Sequence, residues 1–306
     1  MKHMTRIAAF ALTAVATTAA LKADTNTNSV ATGKDVKAPV PAVAPAATPM
    51  FNLNVSENYD SRYMYRGVNV CPNTGILSTT FNPIWHITAN DTLSVPIWFA
   101  TCVGKTFNNG IQNYRELDIP VNYTHAIGQW TLGAGYENYT YYNVPGNKPG
   151  GMGVQNEVNE SIAYTYTNSW SSWTPSITYY QELGTPIGYS YGSINAGSSF
   201  LSPSIAATIP LTFLKKDGSI TFNPNTQYNF SFRYNDSAMG STTAYNKAYT
   251  GGNNWAIQLP VTWQVTKLVS ITGYVAYSLQ EHNLATGYGT TAPSTCWGGA
   301  SVGLSF

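Results

Sequence analysis

The feature that most constrains this chain is an almost unbroken alternation of apolar and polar residues from about Met50 to Phe306. Between positions 255 and 266, Trp, Ile, Leu and Val occupy the odd positions, while Gln and Thr occupy most of the even ones. Successive side chains of a β-strand point to opposite faces, so each such segment is expected to form a strand with one apolar and one polar face. Helical periodicity is nearly absent from this region.

A soluble β-sandwich also has alternating strands, but three features favour a membrane barrel. Many alternating runs exceed ten residues and so are longer than the usual strand of a soluble sheet. Only 9% of the residues are charged, against about 25% in ordinary soluble domains. Aromatic residues occur near predicted strand ends on the apolar face, as an interfacial girdle requires: Tyr63, Tyr65, Trp85, Trp130, Trp173 and Trp255.

Clusters of Gly, Asn, Asp and Pro divide this region into predicted strands joined by links that alternate between short and long. An even strand number with this alternation is typical of bacterial barrels whose termini both lie in the periplasm. The sequence therefore predicts an all-β fold, a transmembrane antiparallel up-and-down barrel of about twelve strands whose long links face out of the cell. The predicted strands are 51–67, 75–88, 92–103, 113–126, 129–142, 155–168, 171–183, 200–213, 218–234, 254–267, 269–281 and 294–306.

The N-terminal region predicts export. A basic start is followed by an apolar run at 7–20, which is only about half as long as a spanning helix needs. We expect residues 1–23 to be a cleaved signal peptide and residues 24–49, rich in Ala, Pro and Thr, to be a disordered linker. The barrel domain is then 50–306, and its expected location is the outer membrane.

Charged residues that parity places on the inward face are the candidate functional residues, because the chain has so few charges. They are Asp60, Arg62, Arg66, Glu116, Asp118, Glu137, Glu182 and Arg233. One interpretation is a constriction with separated acidic and basic sides that filters polar solutes through its field. The other is a set of salt bridges and hydrogen bonds that closes the lumen, and the sequence leaves both open.

The C-terminus has the pattern of a last barrel strand. Ala300, Val302, Leu304 and Phe306 share the apolar face, and the final residue is aromatic. Barrels of this class commonly end in an aromatic residue that the assembly machinery recognises. We therefore expect Phe306 to be that residue, with the barrel-assembly machinery and outer-membrane lipid as partners.

The segment 56–70, SENYDSRYMYRGVNV, resembles the opening strand of the TorF family of outer-membrane porins. In that family the first strand ends in an aromatic-x-x-Arg-Gly unit before the first outer loop. The matching residues are Tyr63, Tyr65, Arg66 and Gly67, and similar middle-strand features are Trp173, Pro175, Tyr179 and Tyr180. The chain departs from the family in its Ala/Pro-rich linker and its three cysteines. The resemblance implies a porin-like channel and names no substrate.

The expected function is a porin-like channel for passive diffusion of small polar solutes. One alternative is a closed structural or adhesive barrel whose outer loops bind surfaces; another is a hydrolase barrel, which needs a nucleophile oriented by a base. Only His86, His125 and His282 follow the signal, and no G-x-S-x-G segment occurs, so we expect no enzyme. We also expect no cofactor and no metal, since His, Cys and carboxylates do not cluster. A net charge of +1 gives no reason to expect nucleic acid, and the oligomeric state is not predicted.

The three cysteines, Cys71, Cys102 and Cys296, all map to the end of the barrel that carries the long links. The predicted disulfide joins Cys71 and Cys102, because the first long link and the top of the third strand lie close together, in an oxidising compartment. The alternative joins Cys71 and Cys296, because the last strand closes onto the first. Three free thiols are the remaining interpretation, given the odd count.

Peptide mapping without reduction tests the pairing. We expect a linked pair of peptides containing Cys71 and Cys102, with Cys296 open to alkylation. Alkylation of all three residues without prior reduction would contradict the prediction.

Overall fold

The computed structural model describes residues 50–66, 68–69, 75–103, 115–142, 152–184, 198–234, 249–281 and 294–306. The predicted signal peptide and linker lie outside these residues, so their assignment stays a prediction. In the described part of the chain, every regular element is a β-strand.

Twelve antiparallel strands form a closed barrel, which confirms the predicted fold class and strand number. Each strand pairs with its neighbours in sequence, and the last pairs with the first. A two-stranded hairpin, Met64–Tyr65 with Val68–Asn69, lies between the first two strands. The strands are β1 Phe51–Asp60, β2 Gly75–His86, β3 Asp91–Ser94 continued by Ile97–Val103, β4 Arg115–Ile127, β5 Trp130–Tyr142, β6 Met152–Tyr164 continued by Tyr166–Thr167, β7 Ser172–Gly184, β8 Ser199–Pro210, β9 Ile220–Phe222 continued by Asn225–Tyr234, β10 Tyr249–Gln264, β11 Val269–Gln280 and β12 Thr295–Ser305.

The two ends of the barrel differ in the length of their connections. We call the end that carries the connections 87–90, 128–129, 168–171, 211–219 and 265–268 the short-link end, and the opposite end the long-link end. Gly128 and Gly218 adopt left-handed φ values of 61° and 68° in two of the short links, where a side chain would be strained. Near Gly218, hydrogen bonds from Ser219 hold the pKa of Asp217 below its usual value.

The barrel wall is polar inside and apolar outside. On β10, Trp255, Ile257, Leu259, Val261 and Trp263 are all exposed on the outer face, whereas the polar residues at 254 and 258 are buried. The other strands repeat this arrangement, which is the reverse of a soluble protein. Among the described residues, no helix has the length and apolar character needed to cross a bilayer.

The seam between β1 and β12 closes the sheet. The ladder runs from the pair Asn54–Ser305 to the pair Asp60–Gly299. Beyond β12, the Leu53 amide donates to the Phe306 carbonyl (3.1 Å) and the Phe306 amide donates to the Leu53 carbonyl (2.9 Å). The C-terminal residue therefore supplies the last hydrogen bonds that leave the sheet without an open edge.

The predicted first strand was too long. β1 ends at Asp60, where its ladder with β2 ends at Ile76, and the chain then leaves the wall. One further backbone hydrogen bond, from the Ser61 amide to the Gly298 carbonyl (2.8 Å), follows the ladder with β12, and the segment then turns towards the interior. Met64 packs with Ala276 and Trp297. Tyr63 is only 5% exposed, so its predicted place in an outward aromatic girdle is wrong.

The other girdle predictions are confirmed where the structure describes them. Trp85, Trp130, Trp173 and Trp255 are exposed on the outer face, while the side chain of Tyr65 lies outside the described residues. Three predicted strands are interrupted, two of them beside Pro96 and Pro224 and the third at Thr165. The remaining boundaries differ by a few residues, with β10 beginning at Tyr249 rather than 254.

Deleting Phe306 is expected to leave export intact but to impair insertion of the barrel, because it removes both the terminal aromatic ring and two hydrogen bonds of the seam. Cell fractionation with a heat-modifiability assay measures the yield of folded barrel. Phe306→Tyr, which keeps both features, is the matched control. A normal yield of heat-modifiable barrel from the deletion would contradict the prediction.

Candidate functional site

Three carboxylates lie side by side on the inner face of β5, β6 and β7. Glu137 is in register with Glu157, and Glu157 is in register with Glu182. Their exposed fractions are 6%, 0% and 1%. Like charges directly opposite each other in a sheet repel, and burial strengthens the effect. This carboxylate row must therefore be neutralised, by a proton or by a cation in the lumen.

Arg66 meets that requirement from the segment that follows β1. Its Nη1 donates to Glu157 Oε2 (3.0 Å) and its Nη2 donates to Glu157 Oε1 (3.1 Å). The same Nη1 lies 3.8 Å from Glu182 Oε1. The guanidinium and the carboxylate thus meet in the two-pronged geometry that makes such pairs strong and directional. Arg66 has a φ of 38°, a backbone conformation rare for a residue other than Gly.

Two aromatic rings also lie against the guanidinium. Arg66 Cζ lies 4.1 Å from the ring centroids of both Tyr180 and Phe200, which are paired positions of β7 and β8. A cation over an aromatic face is stabilised by the ring quadrupole, more so when both are shielded from water. The Tyr139 hydroxyl donates to Glu157 Oε1 (3.2 Å). We call the group Glu157, Glu182, Tyr139, Tyr180 and Phe200 the Arg66 pocket.

The acidic side of the lumen extends beyond this pocket. Glu116 and Asp118 on β4 are also buried, and Asp118 is in register with Tyr139 on β5. Gln155 donates a hydrogen bond to Glu182 and accepts one from the Tyr141 hydroxyl. Inward carboxylates therefore occur on four adjacent strands, β4 to β7, which we call the acidic wall.

On the opposite side of the lumen, a row of uncharged polar side chains crosses four strands. Ser202 donates to Asn229 (2.9 Å), Asn229 donates to Asn254 (2.9 Å), and Asn254 donates to Ser278 (2.8 Å). These buried side chains lie on β8, β9, β10 and β11 in turn, and we call them the amide ladder. Each amide oxygen and amide nitrogen is used, so the ladder fixes side-chain positions along this wall.

The structure brings only some of the predicted site residues together. Glu116, Asp118, Glu137 and Glu182 are buried on the acidic wall. Arg66 lies among these carboxylates rather than on a separate basic side, and it arrives through the turn after β1, not through strand parity.

The remaining predicted residues lie elsewhere. Asp60, at the long-link end of β1, accepts a hydrogen bond from Asn58 (2.6 Å). Arg62 lies beyond the end of β1 and is half-buried, and the side chain of Arg233 lies outside the described residues. Glu157, the residue that binds Arg66, was not among the predicted site residues, although strand parity places it on the inward face. Glu157 shares the inward face of β6 with Asn159 and Ser161.

The structure decides part of the cysteine pairing. Cys102 is disulfide-bonded and Cys296 is a free, exposed thiol. Three free thiols and the pair Cys71–Cys296 are therefore wrong. Cys71 lies outside the described residues, so its pairing with Cys102 stays a prediction.

The described histidines lie at the short-link end. His86 is 3.0 Å from the Asn52 amide nitrogen, and His125 Nδ1 is 2.7 Å from Asp91 Oδ1. The hydroxyls of Thr88 and Tyr123 donate to Asp91 rather than to His125. His282 lies outside the described residues. Within the described ranges, no group of three or more His, Cys, Asp or Glu side chains could hold a metal ion.

Comparison with known proteins identifies similar folds. An outer membrane channel from Pseudomonas putida F1 has a TM-score of 0.50 and 11% identity, covering 86% of this chain and 100% of that one. The NanC porin has a TM-score of 0.46 and 12% identity, covering 83% and 98%. The translocator domain of the autotransporter NalP from Neisseria meningitidis has a TM-score of 0.44 and 11% identity, covering 85% and 89%.

No protein-family model matches the chain, and no curated protein matches it. At 11% identity, the similarity to the Pseudomonas putida channel shows a shared barrel fold and nothing about solutes. The resemblance to the TorF family stays a prediction.

A double-mutant cycle tests the pair of Arg66 and Glu157. We expect Arg66→Ala to lower the free energy of unfolding by about 3 kcal/mol or more, because it leaves buried carboxylates without this cation. Combined with Glu157→Gln, the loss should fall short of the sum of the single losses by about 1–3 kcal/mol. Urea unfolding of the refolded barrel in detergent measures these values.

The control cycle pairs Arg66→Ala with Glu281→Gln. Glu281 is exposed and accepts a hydrogen bond from Tyr228 (2.7 Å), so the two changes should add to within about 0.5 kcal/mol. Equal additivity in both cycles would show that Arg66 and Glu157 are not coupled.

Proposed function

We propose that this protein is an outer-membrane, porin-like channel for passive diffusion of small polar solutes. The observation that carries the proposal is the two-sided polar lumen, an acidic wall facing an amide ladder, inside a closed barrel with an apolar exterior. Water and polar solutes are stabilised by such an interior, and lipid by such an exterior.

The proposed location follows from the wall. A bilayer offers no hydrogen bonds to backbone groups, so spanning strands must form a closed barrel. The seam between β1 and β12 closes this one. The outward Trp and Tyr side chains fit the two interfaces of a membrane. The barrel fold shared with the Pseudomonas putida outer membrane channel agrees with this location. Outer-membrane lipid and the barrel-assembly machinery are the proposed partners.

The proposed width of the pore follows from the number of strands and from the size of the side chains in the lumen. Barrels of about eight strands are filled by side chains, and those of about sixteen to eighteen hold a wide aqueous channel. Twelve strands fall between these classes. Small inward residues on β8, among them Ser202 and Ser204, occupy little of the lumen themselves, although both are buried. Arg66 and the rings of Tyr180 and Phe200 narrow the lumen, so we propose a narrow pore.

The acidic wall supports a preference for cations. Its described inward carboxylates raise the local concentration of cations and disfavour anions in a lumen of low dielectric. Arg66 offsets part of this charge at Glu157. We propose transport without catalysis or a cofactor, because the lumen contacts seen among the described residues are an ion pair and an amide ladder.

A second candidate is a closed barrel that serves a structural or adhesive role. The observation that favours it is the ion pair of Arg66 with Glu157, since an inward segment held by an ion pair can block a narrow lumen. Conductance separates the two candidates.

Replacing Arg62 and Arg66 together by Ala is expected to raise single-channel conductance and to shift ion preference towards cations. Positive charge leaves the lumen while the carboxylates of the acidic wall remain. Planar-bilayer recordings of the refolded barrel under a salt gradient measure both quantities. Arg115→Ala, which removes an exposed arginine from the long-link end of β4, is the matched control and should change neither. No measurable current from the wild type and the double variant alike would favour the closed barrel.

A further inference from the structure

The Arg66 pocket has the composition of a receptor for a planar cation. Glu157 presents two carboxylate oxygens to one edge of the Arg66 guanidinium, and Glu182 Oε1 lies 3.8 Å from Arg66 Nη1. Two aromatic rings lie against the guanidinium carbon. Every one of these side chains is buried and projects from a barrel strand. The pocket walls are therefore held by the sheet, whereas the cation that fills the pocket is not.

The occupant belongs to a segment outside the barrel ladder. β1 ends at Asp60, and the β1–β2 and β1–β12 ladders are complete without Arg66. The segment is anchored by the packing of Met64 and by the rings of Tyr63 and Trp98, whose centroids lie 5.8 Å apart. Arg66 itself has a positive φ, which disfavours its seated conformation. Arg66 can thus leave the pocket without breaking a ladder bond of the wall.

We propose that this pocket is a binding site for guanidinium- or amidinium-bearing solutes, and that Arg66 occupies it as an internal competitor. The paired oxygens of Glu157 match a planar fork of N–H donors, which an ammonium group does not present. The faces of Tyr180 and Phe200 accept a flat, weakly hydrated cation. The idea that the channel transports such a cation rests on the proposed function. The binding of the cation to the pocket is independent of that function.

Competition sets the expected affinities. A group tethered by a short segment acts at an effective concentration in about the millimolar range or above, so a free cation binds the wild type weakly. Removing the Arg66 side chain removes the competitor and leaves the carboxylates and rings in place. We expect the apparent affinity for a small guanidinium cation to rise by about tenfold or more in Arg66→Ala.

Methylguanidinium is the probe, and methylurea, its uncharged counterpart of nearly equal shape, is the control solute. The thermal midpoint of the refolded full-length barrel in detergent is measured at rising millimolar concentrations. We expect methylguanidinium to raise the midpoint of Arg66→Ala, with methylurea inactive and methylammonium weaker. The double variant Arg66→Ala/Glu157→Gln should lose the response, and Arg115→Ala should behave as the wild type.

If Arg66→Ala folds poorly, the refolding yield replaces the thermal midpoint as the measurement. Methylguanidinium should then raise this yield above the yield obtained with methylurea. Equal effects of the two solutes on both midpoint and yield would overturn the proposal. A conducting barrel without the methylguanidinium response would overturn the binding site and leave the channel standing. A silent barrel with that response would support the site and count against the channel.

Discussion

The interior of this barrel depends on the neutralisation of a carboxylate row. Glu137, Glu157 and Glu182 face one another across three adjacent strands, where water cannot screen them as it would at a surface. Protonation or a nearby cation can neutralise such a row, and Arg66 supplies a cation to the central carboxylate. β1 ends at Asp60, and the segment that follows it brings Arg66 to this row.

The closed sheet explains why the two faces differ so completely. Once β12 pairs with β1, every residue of a strand faces either the outside or the lumen. The outside carries Trp, Tyr, Ile, Leu and Val, and the lumen carries the acidic wall and the amide ladder. An uncharged, fully hydrogen-bonded ladder opposite a charged wall gives the lumen a transverse field.

Local alternation was enough to predict the strands, because burial on one face repeats every two residues whatever the rest of the fold does. It also placed Glu116, Asp118, Glu137 and Glu182 inside. It failed at Tyr63, because the chain leaves the ladder after Asp60 and Met64 packs against Ala276 and Trp297, contacts that alternation does not encode. The contact between Arg66 and Glu157 spans 91 positions and depends on the register of the whole sheet, which alternation does not encode.

The central claim is that Arg66 lies inside the lumen in a two-pronged pair with Glu157. Solution NMR of the refolded barrel in detergent micelles, with ¹⁵N-labelled arginine, observes this guanidinium directly. For the wild type we predict resolved, slowly exchanging Hη signals from Arg66, with nuclear Overhauser contacts to the rings of Tyr180 and Phe200. These contacts should be lost in Glu157→Gln. A single averaged Hη signal without ring contacts in the wild type would contradict it.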